Sequence, residues 1–311
     1  MCVPCSGFGT AFGDWTTDGK KKSFFAPEDG WRILPQAIRA GLRHFDCAYV
    51  YRSHRMVGAS LGAAFQQGVL TRDDVFVTTK IYHPENPGLF GKTFNMALPA
   101  DQQKALVTEH AYNSLEELGL GYFDLLLVHW PGDFGSKDKA VNRQNRKAVW
   151  EAFEELYERG VAKAIGVSNW TEEHLAELEE DGVTVMPHVN QVEVSPYCQY
   201  SKLMNYCREK NITIEAYSPL GSTSGQVLKD PVVQGMAEKY GKNPGQIVLK
   251  WLVQQGIVVL PRSSSEKRMV SNMDIFDFAI SEPDMASISA LNKQTDDGGN
   301  SMTNASPYSF P

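Results

Sequence analysis

Eight short apolar runs, each followed by an amphipathic stretch, limit the folds open to this 311-residue chain more than any other feature. Most of the runs are apolar on both faces, which is typical of parallel strands that are buried on both sides. We expect strands at residues 7–10, 43–48, 75–81, 123–129, 162–168, 187–192, 213–218 and 257–261.

The stretches between these runs have the spacing of amphipathic helices. We expect helices at residues 30–40, 55–66, 102–118, 147–158, 172–179, 201–209, 232–240 and 244–254. Eight strands that alternate with helices predict an α/β fold, a (β/α)8 TIM barrel, as a single domain over residues 1–311. A long loop at residues 83–101 and a C-terminal tail at residues 293–311 depart from the alternation.

A doubly wound sheet is the competing α/β fold. It usually has fewer strands and a glycine turn that binds phosphate. Residues 7–13 approximate such a turn, but their spacing is one residue too long and no predicted helix follows them. The barrel is therefore the preferred interpretation.

Composition and charge argue against several classes of protein. The chain is 42% hydrophobic and 22% charged, an ordinary globular mix, and its net charge of −7 argues against a nucleic-acid partner. No apolar run has the length of a membrane span, and the N-terminal residues lack the features of a secretory signal. Five scattered cysteines indicate reduced thiols. We therefore expect a cytoplasmic protein with no membrane partner, and a monomer as the default.

The strand ends carry the residues that point to chemistry, because the active site of a (β/α)8 barrel lies at the carboxyl ends of its strands. Asp46 lies near the end of the second run and Tyr51 in the following loop, while Lys80 and His129 close the third and fourth runs. Each residue taken singly has a structural explanation, as a turn residue, a core aromatic, a solvated lysine or a core histidine. Together they form a set that can transfer a proton.

The proposed chemistry follows from the pKa values of these groups. A phenol has a pKa of roughly 10 and is a poor acid at neutral pH, but a nearby ammonium stabilises the phenolate. A carboxylate would hold that ammonium, and an imidazole could bind the substrate oxygen. The set could then protonate an oxyanion that forms on a carbonyl. No side chain donates hydride, so carbonyl reduction would need a nicotinamide cofactor.

The same residues resemble the sequence signatures of the aldo-keto reductases. Residues 43–51 followed by Val57 and Gly58 are similar to the family segment around its catalytic Asp and Tyr, and residues 124–131 to the segment that carries its His. Residues 166–169, 190–193, 217–221 and 260–263, the last with Arg268 and Asn272, are also similar. Six such segments in the right order, over nearly the whole chain, make the resemblance specific.

The resemblance implies NADPH-dependent reduction of aldehyde or ketone carbonyls to alcohols. It implies that Tyr51 is the general acid, that Lys80 lowers its pKa, that Asp46 pairs with Lys80, and that His129 orients the carbonyl. The implied cofactor contacts are Ser168, Asn169 and Gln191 to the nicotinamide carboxamide, Tyr217 to the nicotinamide ring, Ser218, Leu220 and Ser222 along the pyrophosphate, Arg262, Ser263 and Arg268 to the 2′-phosphate, and Asn272 to the adenine.

The choice of NADPH over NAD also has a physical argument. The 2′-phosphate is a dianion that needs positive, multidentate donors, and Arg262 and Arg268 supply two guanidinium groups at a strand end and the following turn. The alternative is that both arginines are surface charges. The chain departs from the family at Ser53-His54, where the family usually has Asn-Glu, at Arg262 in place of Lys, and at Ser271 in place of Glu.

Substrate identity is not readable from the strands, because it depends on loops. It depends here on the loops at 83–101 and 132–142 and on the tail. Six aromatic candidates for an apolar pocket favour a hydrophobic or aromatic small-molecule carbonyl: Phe90, Phe94, Trp130, Phe134, Tyr308 and Phe310. No metal site is expected, since the histidines include no pair at helical ligand spacing. The alternative function is an NADPH-binding barrel with a regulatory or structural role and no physiological turnover.

Overall fold

The computed structural model describes residues 4–11, 27–81, 98–132, 138–222, 224–294 and 307–309. In these residues eight strands pair in parallel and in chain order. They are β1 (Phe8–Gly9), β2 (His44–Asp46), β3 (Phe76–Ile81), β4 (Leu125–Val128), β5 (Ile165–Ser168), β6 (Val189–Glu193), β7 (Thr213–Tyr217) and β8 (Val258–Leu260). A parallel bridge between Ser6 and Val259 brings β8 beside the segment that leads into β1. The sheet is thus a nearly closed barrel, and the predicted (β/α)8 fold is confirmed.

Ten α-helices lie in the same described ranges. They are α1 (Pro27–Arg39), α2 (His54–Gln66), α3 (Ala100–Leu118), α4 (Lys139–Glu158), α5 (Glu172–Glu180), α6 (Ser201–Glu209), α7 (Pro231–Tyr240), α8 (Pro244–Gln254), α9 (Glu266–Met273) and α10 (Glu282–Ser289). The first eight were predicted, but α4 begins at Lys139 rather than at residue 147 because the Asp138 carboxylate accepts from the amides of Ala140 and Val141. Helices α9 and α10 were not predicted. None of the helices in the described ranges is long and apolar enough to cross a membrane.

The alternation of side chains along the strands sorts them into two buried layers. Outward residues such as Val77, Leu126 and Val192 pack into the large core beneath the helices. Inward residues form a small separate cluster inside the barrel, made of Phe76, Leu125, Leu127 and Val189. Polar side chains follow this cluster at the next inward positions toward the carboxyl ends of the strands. The barrel therefore places these polar side chains at one mouth.

Gly58 sets how closely α2 can approach α3. A Cβ at this position would lie 2.3 Å from the carbonyl oxygen of Leu118, a backbone atom that cannot rotate away. We expect Gly58→Ala to lower the free energy of unfolding by about 1–3 kcal/mol, measured by urea denaturation.

Gly62→Ala in the same helix is the matched control for this prediction. No atom of the described residues lies within 4 Å of a Cβ at Gly62, so helix propensity alone predicts that the free energy of unfolding rises by up to about 1 kcal/mol. Equal effects of the two substitutions would contradict the close approach of α2 and α3.

Candidate active site

Asp46 and Lys80 form a buried ion pair at the mouth. Lys80 Nζ lies 2.6 Å and 2.7 Å from the two Asp46 carboxylate oxygens and donates to the carbonyl of Cys47 at 2.9 Å. The two residues are 4% and 1% exposed. Burial disfavours the ammonium, but the Asp46 carboxylate, together with the nearby Tyr51 and Cys47, outweighs this and holds the pKa of Lys80 above its usual value. The pair therefore fixes the Lys80 ammonium, balanced by one carboxylate, inside the barrel.

Tyr51 ends a 3-10 turn, Tyr49–Tyr51, that follows β2. Arg52 stops the turn in the left-handed conformation, with φ of 53°. The Tyr51 ring centroid lies 4.9 Å from Lys80 Nζ, and the ring stands edge-on to the His129 imidazole at 5.7 Å between centroids. The turn thus delivers the phenol to the Asp46–Lys80 pair and the imidazole together.

The pKa of Tyr51 is raised rather than lowered. Burial of the phenol is the largest cause, while the Lys80 ammonium acts in the opposite direction and the Asp46 carboxylate adds to the rise. The resemblance implied that Lys80 sets the direction; in the structure Lys80 only offsets part of the burial effect. The phenol is consequently protonated at neutral pH, which is the form that a proton donor requires.

His129 follows β4 directly and is fixed on two sides. Its backbone amide donates to the carbonyl of Ile81 at 2.7 Å, and its own carbonyl accepts from Asn169 Nδ2 at 3.1 Å. The imidazole stacks on the Trp130 ring with 6.2 Å between centroids. The structure thus brings together all four residues that the sequence predicted as catalytic.

The family departures at Ser53 and His54 anchor the Tyr51 turn. Ser53 Oγ lies 2.8 Å from Thr10 Oγ1, and His54 Nε2 lies 2.7 Å from Thr79 Oγ1. His54 Nδ1 lies 3.5 Å from the carboxylate of Glu117 on α3. These contacts tie the turn to the β1 end, to β3 and to α3, so the two replacements are part of the support of the site.

A second polar group continues from the first across β5, β6 and β7. Asn169, with φ of 63°, donates to Ser168 Oγ at 3.1 Å and accepts from the Tyr217 hydroxyl at 2.8 Å. Gln191 donates from Nε2 to Asp46 Oδ1 at 2.9 Å. An amide oxygen on Gln191 and a half-buried phenol ring at Tyr217 are suited to a planar carboxamide-bearing ring. The polar groups and the phenol ring at this end of the mouth therefore fit a nicotinamide.

The turn after β7 carries three further predicted residues. Ser218 and Ser222 have φ of 49° and 54°, and Gly221 between them has φ of 80°. Turns with left-handed residues can direct backbone N–H groups toward an anion, as a pyrophosphate requires. A Cβ added to Gly245 would lie 4.0 Å from Leu220 and 3.9 Å from Asn272, so both residues lie beside the start of α8.

Arg262, Ser263 and Arg268 form the third group. Arg262 follows β8 and donates to the carbonyl of Ala11 at 2.6 Å, and Arg268 Nε donates to Ser263 Oγ at 3.2 Å. Arg268 lies in the first turn of α9, not in a turn between elements as the sequence suggested. Both arginines are exposed, which fits an anion that approaches from solvent.

Ser271, the remaining family departure, joins α9 to the start of α8. Its hydroxyl lies 2.6 Å from Asn243 Nδ2, and Asn243 is the residue that caps α8. The hydroxyl therefore supports the position of the neighbouring Asn272, although the family's usual carboxylate is absent here.

One buried polar residue of the mouth was missed from the sequence. Glu215, on β7, is fully buried and its Oε2 accepts from Gln191 Nε2 at 2.9 Å. Its position between Ile214 and Ala216 in a predicted strand was the available signal, since an acidic residue inside a buried strand needs a specific reason.

The predicted aromatic substrate contacts are only partly described. Phe90, Phe94, Phe134 and Phe310 lie outside the described residues. Trp130 is 7% exposed and stacks on His129, and the Tyr308 hydroxyl donates to Glu172 Oε2 at 2.6 Å. In the residues that the structure describes, no group of three or more His, Cys, Asp or Glu side chains could hold a metal ion.

Comparison with known proteins gives a consistent result. Residues 10–293 match the model of the Aldo/keto reductase family. Aldo-keto reductase family 1 member A1-A of Danio rerio is 36% identical over 290 residues, which cover 86% of this chain and 83% of the relative. Glyoxal reductase of Bacillus subtilis is 38% identical over 264 residues, covering 85% of this chain and 84% of the relative. The crystal structure of the Bombyx mori aldo-keto reductase in complex with NADP superposes with a TM-score of 0.75 at 30% identity, covering 94% of this chain and 90% of that one.

Proposed function

Because the chain belongs to the aldo/keto reductase family, we propose that it reduces aldehyde or ketone carbonyls to alcohols with NADPH, and that Tyr51 supplies the proton. The single observation that supports the Tyr51 role best is the contact series from Asp46 to Lys80 to Tyr51 to His129. NADPH, when bound, supplies the hydride that reaches the carbonyl carbon.

The proton step uses groups whose charge states are set by the fold. As the carbonyl double bond becomes a single bond, its oxygen gains negative charge, and the neutral Tyr51 hydroxyl gives its proton to that oxygen. The phenolate that is left is stabilised by the Lys80 ammonium at the ring. Burial alone would favour the neutral amine of Lys80, but the Asp46 carboxylate helps to keep Lys80 charged. The phenolate regains its proton from water.

His129 orients the substrate in this proposal. Its imidazole stands edge-on to the Tyr51 ring and is stacked on Trp130, so a ring N–H can point to the same oxygen as the phenol. Two donors on one oxygen position the carbonyl and share its developing charge.

The cofactor contacts are proposed along three groups. Ser168, Asn169, Gln191 and Tyr217 would hold the nicotinamide, Ser218, Leu220 and Ser222 the pyrophosphate, Arg262, Ser263 and Arg268 the 2′-phosphate, and Asn272 the adenine. The support is their order across neighbouring strand ends from β5 to β8.

Removal of the Arg268 guanidinium is expected to weaken the binding of NADPH more than the binding of NADH. A charge-assisted contact to the 2′-phosphate is lost, and such contacts contribute about 1.5–3 kcal/mol, or roughly a 10- to 100-fold change in Kd. Arg268→Gln should therefore raise the NADPH Kd in that range, measured by quenching of tryptophan fluorescence, with little change for NADH. Arg208→Gln, on the exposed face of α6, is the matched charge control. Equal losses for both cofactors would contradict the assignment.

We also propose that the substrate is apolar or aromatic near its carbonyl. The support is Trp130, which stacks beside His129 at the mouth.

The function itself is tested by analysing the products of an incubation with NADPH and one aromatic aldehyde: one alcohol should form for each NADPH consumed. A preference for small charged sugars over aromatic aldehydes would contradict the substrate class.

A further inference from the structure

Glu215 is a buried carboxyl group that the proposed reaction does not use. It lies in the middle of β7, paired in register with Gln191 on β6 and Val258 on β8, and is fully buried. Its Oε2 accepts from Gln191, while its Oε1 is buried with no hydrogen-bond partner in the part of the chain that the structure describes. A buried oxygen of this kind is costly for an ionised carboxylate and less costly for a neutral acid.

Gln191 connects Glu215 to the catalytic set. Its amide nitrogen donates to Asp46 Oδ1 at 2.9 Å and to Glu215 Oε2 at 2.9 Å. Both N–H bonds are thereby committed, so the amide has one orientation and can offer only its carbonyl oxygen to a bound molecule. Glu215 therefore helps to decide where that oxygen points.

The charges around Glu215 favour its neutral form. The groups that face it are Asp46 on β2, Lys80 on β3 and Gln191 on β6, while β8 contributes the apolar Val258. Lys80 is already paired with Asp46, so an ionised Glu215 would add a second buried carboxylate to a single cation. The pKa of Glu215 is raised to about 8, mainly by burial and next by the charge of Asp46.

We propose that Glu215 is a positioning residue for the carbonyl reduction: as a neutral acid it holds the Gln191 amide, and with it the oxygen that would receive the nicotinamide carboxamide, in one orientation. This inference rests on the proposed function for its role in the reaction. Ionisation of Glu215 at alkaline pH places two carboxylates on one amide nitrogen and one ammonium. The two N–H bonds of Gln191 then point to two negative charges instead of one, the orientation of the amide changes, and cofactor binding weakens.

The effect on stability has a definite sign. Glu215 titrates near 4.5 when exposed and near 8 in the fold, so between these values the folded chain binds one more proton than the unfolded chain. Its stabilising contribution is complete below the lower value, declines as the pH rises between the two, and changes no further above the upper one. Glu215→Gln removes this decline and keeps an oxygen for the Gln191 donor.

The first test compares the Tm of the unliganded protein with that of Glu215→Gln between about pH 5 and pH 9. We expect the variant to gain Tm relative to the native protein as the pH rises toward about 8 and to gain no more beyond it. A Tm difference that does not change with pH would overturn the proposal, because Glu215 would then be ionised in the folded protein throughout this range, as it is in the unfolded chain.

The second test measures the NADPH Kd by tryptophan fluorescence for the native protein, Glu215→Gln and Glu215→Leu. Leucine removes the acceptor, so we expect a Kd about tenfold higher, and glutamine should restore most of that loss near neutral pH. From about pH 6.5 to about pH 9 the native Kd should rise more than that of Glu215→Gln. Equal losses in the two variants would overturn the neutral-acid role. Neither test involves a carbonyl, so failure of the reductase proposal would appear separately, in turnover.

Discussion

Replacement of Tyr51 by phenylalanine is expected to reduce kcat by about 10²-fold or more while the NADPH Kd stays within about twofold. The substitution removes only the hydroxyl that gives the proton. The ring keeps its place between Lys80 and His129, at 4.9 Å and 5.7 Å. Carbonyl-dependent loss of NADPH absorbance measures the first quantity and fluorescence quenching the second.

Tyr49→Phe provides the matched control, because Tyr49 belongs to the same 3-10 turn but packs on His110 with 4.3 Å between ring centroids. It should turn over at close to the native rate. A Tyr51→Phe enzyme that is as active as the Tyr49→Phe enzyme would remove Tyr51 from the role of proton donor.

Replacement of Lys80 by methionine is expected to cost stability and turnover together. It leaves the Asp46 carboxylate buried at 4% exposure without its cation, and breaking such a pair costs about 3–5 kcal/mol. The phenolate of Tyr51 also loses its stabilising charge. Urea denaturation measures the free energy of unfolding, and adding Asp46→Asn to Lys80→Met should recover part of it.

Lys210→Met tests whether the loss is specific to the buried pair. Lys210 lies 2.7 Å from Glu179, but the two side chains are 36% and 52% exposed, so the expected cost is below about 1 kcal/mol. Similar losses of unfolding free energy for the Lys80 and Lys210 variants would contradict the burial of the Asp46–Lys80 pair at the mouth.

The barrel could be predicted from the sequence because its strands are apolar on both faces and alternate regularly with helices. The eight strands lie within the predicted runs or overlap them closely, and α6 and α8 begin and end at the expected residues. The start of α4 was missed because its first turns bury polar residues such as Asn142, Asn145 and Arg146, which hide the apolar spacing. Helix α9 was missed because it fully buries only Met269.

The residues that form the site could be predicted from the sequence, but their electrostatics could be predicted less well. Placement of Asp46, Lys80 and His129 at successive strand ends brings them to one mouth, whatever the details of packing. The raised pKa of Tyr51 depends on how deeply the phenol is buried, and the spacing of residues along the sequence does not show this. Glu215 was missed because an apolar run does not show which of its residues face the barrel interior.

The most direct test of the account is the loss of NADPH absorbance with a panel of aromatic and aliphatic aldehydes and ketones, with NADH in parallel. We expect turnover with NADPH, much weaker turnover with NADH, and higher kcat/KM for aromatic carbonyls. Tight NADPH binding with no turnover on any carbonyl would contradict the account and favour a barrel with a regulatory or structural role.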